Sequence, residues 1–410
     1  MGQIVNRRRV MGGKAITDLS MVDTAGRKTS YRNTANCYLV HKAGEYRLPL
    51  VYGNAIRNGD VNTYAFNPGG TTSTNYCANF VNHNNNGITA PWITKSTSGT
   101  GVDKGMGYTA SSASLVWQDV QGLITDVSVD GDYLYFTVGS FTEGNALLAI
   151  KDSSSNIMWS WHIWATNETL ENTTAIATDS RTYYVAPVNL GWVATGGNGK
   201  QGYCPYYQFG RKDPFIPAAG FNSTTNHTVY DINGNSVTAF SFVSGSVGVN
   251  ALIRNVTQFQ YNSSTKWAFL TPYYNLWDAS NTATGDVTTP TRKTVYDPCP
   301  AGFCLPSSHL DYYLGNTAGS SSSYSTYDST NKGRTWIYGG ASLWLPMSGR
   351  RAVGSGALQN VGTSIYCWCS DPYDSTRGCF IFANSTEFQV GLNNPSMGAP
   401  VRPVLEVYEQ

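Results

Sequence analysis

Eight cysteines and five histidines are the residues of this sequence that could carry nucleophilic or metal chemistry. A reactive thiol needs a base or a positive charge nearby, and zinc sites usually bring Cys or His in closely spaced pairs. Cys367 and Cys369 are separated by one residue, which fits neither a zinc knuckle nor a CxxC redox motif, and Cys379 follows with no histidine beside it. We therefore expect mostly free, buried cysteines, with Cys299 and Cys304 as the one pair that could form a disulfide.

Other catalytic signatures are missing from the sequence. The histidines form no HExxH pattern, and neither a Gly-x-Ser-x-Gly elbow nor a P-loop occurs. We therefore expect no enzyme activity, no catalytic residue, no metal site and no cofactor.

The charge balance argues against nucleic-acid and membrane partners. Charged residues make up 13% of the chain and the formal net charge is +1, so no strong field would gather phosphates or anionic lipids. No apolar run is long enough to span a bilayer, and residues 1–18 do not resemble the core of a signal peptide. We expect a chain that inserts into no membrane and that leaves the cytoplasm by another route, or one whose signal was removed before Met1.

The composition indicates a β-rich protein with many turns. The 42 glycines and 27 tyrosines accompany abundant Asn, Ser and Thr, whereas long helices depend on Ala, Leu, Glu and Lys. The same mixture is typical of antibody paratopes, where Tyr supplies stiff contact area and small polar residues supply adaptable hydrogen bonds. An all-β extracellular-type protein with no recognition role would share this composition.

The sequence predicts three segments along the chain. Residues 1–30 show no periodicity and are interpreted as an N-terminal arm. Residues 31–170 are predicted to form an antiparallel β-sandwich, with a hairpin at 124–129 and 133–138 around an Asp-Gly turn and strands at 146–151 and 157–164. Residues 171–410 alternate aromatic clusters with Gly/Ser/Asn loops, with a short helix predicted near 307–314.

Several motifs resemble a known family. Residues 36–58 and 159–164 resemble an N-terminal β-domain common in Bacteroidetes surface proteins and their phages. The later motifs resemble the Fibrobacter succinogenes major paralogous domain; they are 188–191 (VNLG), 206–213 (YYQFGRKD), 295–303 (VYDPCPAGF), 345–350 (LPMSGR) and 400–404 (PVRPV). Together they cover most of residues 31–407.

The resemblance implies a fold and a role. The expected fold class is mainly β with an α+β C-terminal domain, in which the sandwich is followed by a C-type-lectin-like domain with long irregular loops. The target proteins of diversity-generating retroelements share that lectin-like fold and carry hypervariable ligand contacts in their last strands. The implied function is a phage-encoded receptor-binding or adhesive display protein, located in a virion tail or fibre or on a bacterial surface. Its partner would be a host cell-surface protein or glycan. Because fibre proteins often trimerise, a homo-trimer is the expected assembly, although no heptad pattern in the sequence supports a coiled coil.

The candidate contact surface lies in the last strands. Trp368 matches the core Trp of the family, so strand alternation would turn Cys367 and Cys369 toward the surface; burial as small core residues is the alternative. The family has Tyr-Trp-Ser here, and Cys at these places would suit positions diversified by mutation. The candidate ligand-binding residues are Arg350, Thr363, Tyr366, Cys367, Cys369, Tyr373, Arg377, Phe388, Val390, Leu392 and Asn393.

Other interpretations stay open beside this one. The chain could be a bacterial cell-surface or fimbrial adhesin, or a purely structural virion component. Formylglycine-generating enzymes use a related fold and cysteines, but no base accompanies Cys367 or Cys379. Calcium-dependent sugar binding is disfavoured because the C-terminal region has few carboxylates. The Asp-Pro-Cys-Pro motif at 297–300 is interpreted as a rigid turn, and Arg402 as a partner for a buried carbonyl or carboxylate.

Overall fold

The structure is a computed structural model that describes residues 15–69, 74–238, 240–262, 267–271, 273–318 and 324–407. Within these residues the protein is mainly β, with short strands in many small, largely antiparallel sheets, so the mainly β prediction is confirmed. The helices of this part of the chain are α1 (Val249–Arg254) and α2 (Ser308–Ala318), with 3-10 turns at Leu19–Met21, Thr63–Ala65 and Gly101–Asp103. Neither helix has the length and apolar character that crossing a membrane requires.

The strands of the N-terminal half form two main sheets. They are β1 (Thr17–Asp18), β2 (Cys37–Val40), β3 (Gly44–Pro49), β4 (Ile56–Arg57), β5 (Asp60–Val61), β6 (Ser112–Gln118), β7 (Ile124–Asp130), β8 (Tyr133–Val138), β9 (Gly144–Lys151) and β10 (Ile157–Ala165). One sheet has the order β1-β3-β8-β7, and the other contains β6-β9-β10-β2. The predicted hairpin of β7 and β8 is confirmed, because Gly131 adopts the positive φ of +55° that its turn requires.

The predicted N-terminal arm is only partly described, since residues 1–14 lie outside the described residues. The described remainder is part of the folded body. Thr17 and Asp18 pair in parallel with β3, and Leu19 is buried in the main core.

The middle of the chain consists of short strands joined by long loops. They are β11 (Thr174–Ala177), β12 (Thr182–Val185), β13 (Val193–Ala194), β14 (Gly202–Tyr203), β15 (Tyr207–Gln208), β16 (Val229–Tyr230), β17 (Ser236–Val237), β18 (Ser241–Ser244), β19 (Gln258–Tyr261) and β20 (Phe303–Cys304). β16 and β17 extend the second N-terminal sheet beyond β6. This sheet therefore combines strands from both sides of residue 170.

The C-terminal part contributes the remaining strands. They are β21 (Ser325–Asp328), β22 (Gly333–Tyr338), β23 (Ala341–Pro346), β24 (Arg350–Arg351), β25 (Leu358–Gln359), β26 (Ile365–Pro372), β27 (Gly378–Ala383), β28 (Phe388–Asn393), β29 (Gly398–Ala399) and β30 (Val404–Leu405). β26, β27 and β28 form an antiparallel sheet against which α2 packs. The predicted helix near 307–314 is confirmed as α2, although it continues to Ala318.

The two halves share one core. A single cluster of buried side chains extends from Leu19 to Val401. The side-chain amide of Asn36 donates hydrogen bonds to the carbonyls of Val295 and Asp297 at 2.7 and 2.8 Å. The domain boundary at residue 170 stays a prediction, and the packing is continuous across it.

A buried polar chain of hydrogen bonds lies within this core. The ring nitrogens of His162 are 2.8 Å from Asn145 Oδ1 and 3.3 Å from the Tyr207 hydroxyl. Asn145 in turn donates its side-chain amide to Asp119 at 2.9 Å. Burial lowers the pKa of His162 to about 3, so the folded protein holds a neutral imidazole throughout the physiological range.

Because His162 is held neutral, we expect the stability of the folded protein to fall as the pH is lowered. In the unfolded chain His162 titrates near pH 6.5, so below that pH the unfolded state binds a proton that the folded state does not bind. The stability contribution is complete above about pH 6.5 and is lost progressively toward the folded pKa. Between pH 7 and pH 5 we expect His162 to account for about 2 kcal/mol of destabilisation.

The measurement is urea unfolding of the wild type and His162→Gln at both pH values. Asp119 is present in both proteins, so the difference between their pH dependences reports on His162. We expect His162→Gln to lose about 2 kcal/mol less than the wild type on acidification. Identical pH dependences in the two proteins would show that His162 is not held neutral.

Candidate functional site

The two faces of the sheet of β26, β27 and β28 pack against different clusters of buried side chains. Along β26, Ile365 and Cys367 face the cluster that contains α2, whereas Tyr366 and Trp368 face the main core. The predicted core position of Trp368 is confirmed: its ring is fully buried and its Nε1 donates to the carbonyl of Tyr207 at 2.8 Å. The predicted alternation of side chains is therefore correct.

The predicted exposure of the cysteines is wrong. Cys367 and Cys369 are 3% and 0% exposed, because α2 covers the face of the sheet toward which they point. Phe388 is also buried on the α2 side, where it joins Cys367 in one hydrophobic cluster. These three residues cannot contact a partner while the folded structure is intact.

Tyr366 forms the base of a solvent-facing surface on the other side of the sheet. It is itself buried, and its ring lies 5.4 Å from that of the partly exposed Phe382, which pairs with the exposed Gln389 of β28. The Arg350 guanidinium lies 5.2 Å from the Tyr366 ring centre, and Asn360 donates to the Tyr366 hydroxyl at 2.8 Å. We call this surface the Arg350 face; its members are Arg350, Asn360, Thr363, Tyr366, Phe382 and Gln389.

Arg350 is the charged group of this face, and its hydrogen bonds are incomplete. It is half-buried, its Nη1 lies 3.5 Å from Met397 Sδ, and its Nε is buried without a hydrogen-bond partner. In the part of the chain that the structure describes, no carboxylate pairs with it. A half-buried guanidinium that lies over an aromatic ring and pairs with no carboxylate is suited to an acceptor oxygen from another molecule.

Tyr373 and Arg377 lie together in the turn between β26 and β27. The Arg377 guanidinium stacks 4.5 Å from the Tyr373 ring centre and forms a salt bridge of 2.7 Å with Asp374. Partial burial raises the pKa of Asp374, but the hydrogen bonds from Arg377 and Thr376, together with the charge of Arg377, outweigh it and bring that pKa down to about 2. Both predicted residues are half-exposed, but the charge of Arg377 is already neutralised within the turn.

The remaining predicted positions divide between the two faces of the sheet. Val390 and Leu392 point to the α2 side, opposite Ile381 and Cys379, and are half-buried. Asn393 points to the side of Gln389 and is half-buried, and Thr363 is exposed beside Asn360. The structure thus brings Arg350, Thr363 and Tyr366 together. Phe382, Gln389 and Asn360 complete the face and were missed by the sequence interpretation.

The Asp-Pro-Cys-Pro motif is a rigid, buried turn, as predicted. Asp297 accepts hydrogen bonds from the backbone N–H groups of Cys299 and Leu305 at 2.7 and 3.3 Å. Lys293 Nζ donates to the carbonyls of Cys299 and Pro300 at 3.1 and 2.8 Å. These bonds fix both ends of the turn, so its role is structural.

The cysteine thiols are not placed for nucleophilic chemistry. All eight are free and buried, including Cys299 and Cys304, so the bridge considered for that pair is not formed. Burial raises the pKa of Cys367 to about 12, and it raises the pKa of Cys299 far above the usual value for a thiol. These thiols therefore stay protonated at neutral pH.

The fold also brings together two groups of polar residues that the sequence spacing did not predict. Asp311 of α2 meets Cys369 and Cys379, all three buried, with their donor atoms within 4.8 Å of one another. Elsewhere, a polar cavity of about 250 Å³ is lined by residues that include Tyr64, Arg292 and Glu406, and the Arg292 guanidinium lies 4.6 Å from the Tyr64 ring centre. Both groups join residues from distant parts of the chain, so no local pattern could have indicated them.

Comparison with known proteins found no relative of this chain. No protein-family model, no curated protein and no solved structure matches the chain.

Proposed function

We propose that this protein is a receptor-binding or adhesive display protein that contacts a host cell-surface protein or glycan through the Arg350 face. The observation that carries the proposal is Arg350 itself: a half-buried guanidinium that lies over the Tyr366 ring and pairs with no carboxylate among the described residues. Because the side chain is only half-buried, the guanidinium can still donate to an acceptor on a bound partner.

The chemistry around Arg350 supports binding rather than scaffolding alone. Phe382 offers partly exposed aromatic surface next to the exposed Gln389, and Asn360 and Thr363 add exposed polar groups beside Tyr366. Aromatic and Arg anchors inside a polar rim dominate the energetics of protein interfaces. The Tyr366 ring packs against Phe380 at a tilt and against Phe382 edge-on. These contacts hold the anchors in place before binding, which reduces the entropy cost of association.

The ligand should present an acceptor-rich or acidic group to this face. A guanidinium recognises carboxylate, sulfate or phosphate oxygens through paired hydrogen bonds. Acidic glycans and acidic protein loops both supply such oxygens. The aromatic Phe382 edge would then contact the apolar part of the same ligand.

The motif resemblance supports the parts of this proposal that concern the domains of the protein and where it is located. On that reading the N-terminal half is a β-sandwich, the C-terminal half is a C-type-lectin-like domain, and the protein belongs to a phage virion as a trimer. A bacterial cell-surface or fimbrial adhesin is the second candidate, and a structural virion component is the third. A near-identical template repeat and a reverse transcriptase gene beside the coding sequence would support diversification, and their absence would remove that part of the proposal.

Binding of the labelled full chain to intact Bacteroides isolates, measured by flow cytometry, tests the proposal. On isolates that bind the wild type, we expect Arg350→Ala to weaken binding by roughly 10- to 30-fold, or about 2 kcal/mol. Arg350→Lys should recover only part of this loss, because an ammonium cannot reproduce the planar donor fork.

Arg292→Ala is the matched control, since Arg292 also stacks on a tyrosine but lines the polar cavity instead. It should bind like the wild type. If Arg292→Ala loses binding while Arg350→Ala retains it, the binding site is the cavity and the proposed face is wrong. A chain that forms a stable oligomer but binds none of the isolates would favour the structural virion component.

A further inference from the structure

The junction between α2 and the last sheet contains a buried cluster of metal-type donors. Asp311 lies in the first turn of α2, Cys369 lies on β26, and Cys379 lies on the neighbouring strand β27. Their carboxylate and thiol donor atoms all lie within 4.8 Å of one another. Asp311 is 1% exposed, and both cysteines are fully buried.

The acidic side chains at this junction are unsatisfied. The Oδ2 atom of Asp311 is buried without a hydrogen-bond partner, and so is Oδ1 of Asp371 on β26. The other oxygen of Asp371 accepts the backbone N–H of Ser308, at the start of α2, at 2.9 Å. A buried carboxyl oxygen without a partner is costly in a folded protein, and a bound cation is one of the few ways to satisfy it.

We propose that Asp311, Cys369 and Cys379 bind a structural zinc ion. Asp371 lies outside this group of three, but its Oδ1 is buried without a partner, and a shift of this side chain toward the ion would supply the fourth ligand. The site would join α2 to β26 and β27 beneath the C-terminal sheet. It is independent of the Arg350 face, which lies on the other side of that sheet.

The donor set and its spacing select the metal. Two thiolates with carboxylate oxygens suit Zn²⁺, whereas Ca²⁺ and Mg²⁺ require oxygen ligands alone. In a tetrahedral zinc site with Zn–S bonds of about 2.3 Å, ligand atoms lie roughly 3.5–3.8 Å apart. Donors already within 4.8 Å need to move by only about 1 Å to reach this geometry.

The arrangement favours a structural role over a catalytic one. The three donors and Asp371 are buried, so substrate has no access to an ion bound there. With Asp371 as the fourth ligand the site would be closed, as is typical of structural zinc. Because the donors come from three elements, the ion would bind as the chain folds and would stabilise their junction.

Metal analysis of the full chain tests this proposal. The protein is expressed with added zinc, dialysed against a weak chelator, and measured by inductively coupled plasma mass spectrometry. We expect about one zinc per chain in the wild type and at least a tenfold loss in the double variant Cys369→Ala/Cys379→Ala. Cys367→Ala is the matched control, because Cys367 is a buried β26 cysteine outside the cluster, and it should retain one zinc.

Two further measurements keep the proposal testable if the double variant does not fold. Asp311→Asn, which keeps both thiols, should also lose zinc by at least tenfold. Cobalt substitution of the wild type should give thiolate-to-metal charge-transfer absorption, which Asp311→Asn weakens. Wild-type protein without zinc, or equal zinc in the wild type and the variants, would overturn the proposal. Six rather than eight titratable thiols in denatured, chelator-treated protein would also overturn it, since the two cysteines would then form a disulfide.

Discussion

Replacing Trp368 by alanine is expected to lower the free energy of unfolding by about 3–5 kcal/mol. The Trp368 ring is fully buried and packs at 5.4 Å, edge to face, against Phe380. It also lies directly over Gly378, where no space remains for a Cβ atom. Truncation would therefore leave a large cavity between β26 and β27 and would leave the Tyr207 carbonyl without its donor.

Guanidinium unfolding followed by far-UV circular dichroism measures this loss. Trp368→Phe is the control, because it keeps an aromatic ring in the core and removes the indole hydrogen bond. We expect it to cost about 1–2 kcal/mol. A loss below about 1 kcal/mol for Trp368→Ala would contradict the central packing role of this ring.

Arg402→Met is expected to destabilise the protein by about 3 kcal/mol, although methionine is apolar and of similar length. The Arg402 guanidinium is buried and donates to Asn189 Oδ1 at 2.7 Å and to the carbonyls of Ala186 and Trp344 at 3.0 Å each. Burial lowers the pKa of Arg402 to about 10, so the side chain remains charged at neutral pH. The substitution would remove all three hydrogen bonds, two of which are fully buried.

The same unfolding measurement checks this expectation against a surface arginine. Arg27 is 64% exposed at its side chain and pairs with Asp23 and Glu171. Arg27→Met should change stability by less than about 0.5 kcal/mol, because exposed ion pairs contribute little. Equal stabilities of Arg402→Met and Arg27→Met would show that the buried hydrogen bonds of Arg402 are not structural.

Features that depend on local sequence could be predicted. The hairpin of β7 and β8 follows from strand alternation on either side of an Asp-Gly pair, and the predicted strands at 146–151 and 157–164 are confirmed as β9 and β10. Arg402 was predicted to pair with a buried carbonyl or carboxylate, and it donates to the carbonyls of Ala186 and Trp344. In each case the residue type and its neighbours in the sequence are sufficient for the prediction.

Features that depend on which elements meet could not be predicted. Alternation along β26 correctly placed Cys367 and Trp368 on opposite faces, but it does not show whether the second face is covered. That face is covered by α2, whose sequence of Ser, Asn, Thr, Gly and Tyr gives only a weak amphipathic pattern. The cysteines were therefore assigned to the surface, although they are buried.

The Asp311 cluster shows the same limit. Asp311 reaches the two cysteines only because α2 packs on the sheet, and Cys369 meets Cys379 only because β26 and β27 pair. Known zinc motifs are recognised by short spacings within one segment, and this cluster has none. The Arg350 face likewise assembles from β24, the loop before β26, and strands β26, β27 and β28, so Asn360, Phe382 and Gln389 were missed.

Site-specific photo-crosslinking on ligand-positive cells tests the central claim that the Arg350 face is the contact surface. A photoreactive amino acid is placed at Gln389, which is exposed on that face, or at Ser154, which is exposed in the turn between β9 and β10. Both proteins should bind the cells, and we expect a covalent adduct with a cell-surface molecule from the Gln389 position and none from Ser154. Adducts from Ser154 alone, or from neither position while binding persists, would contradict the account.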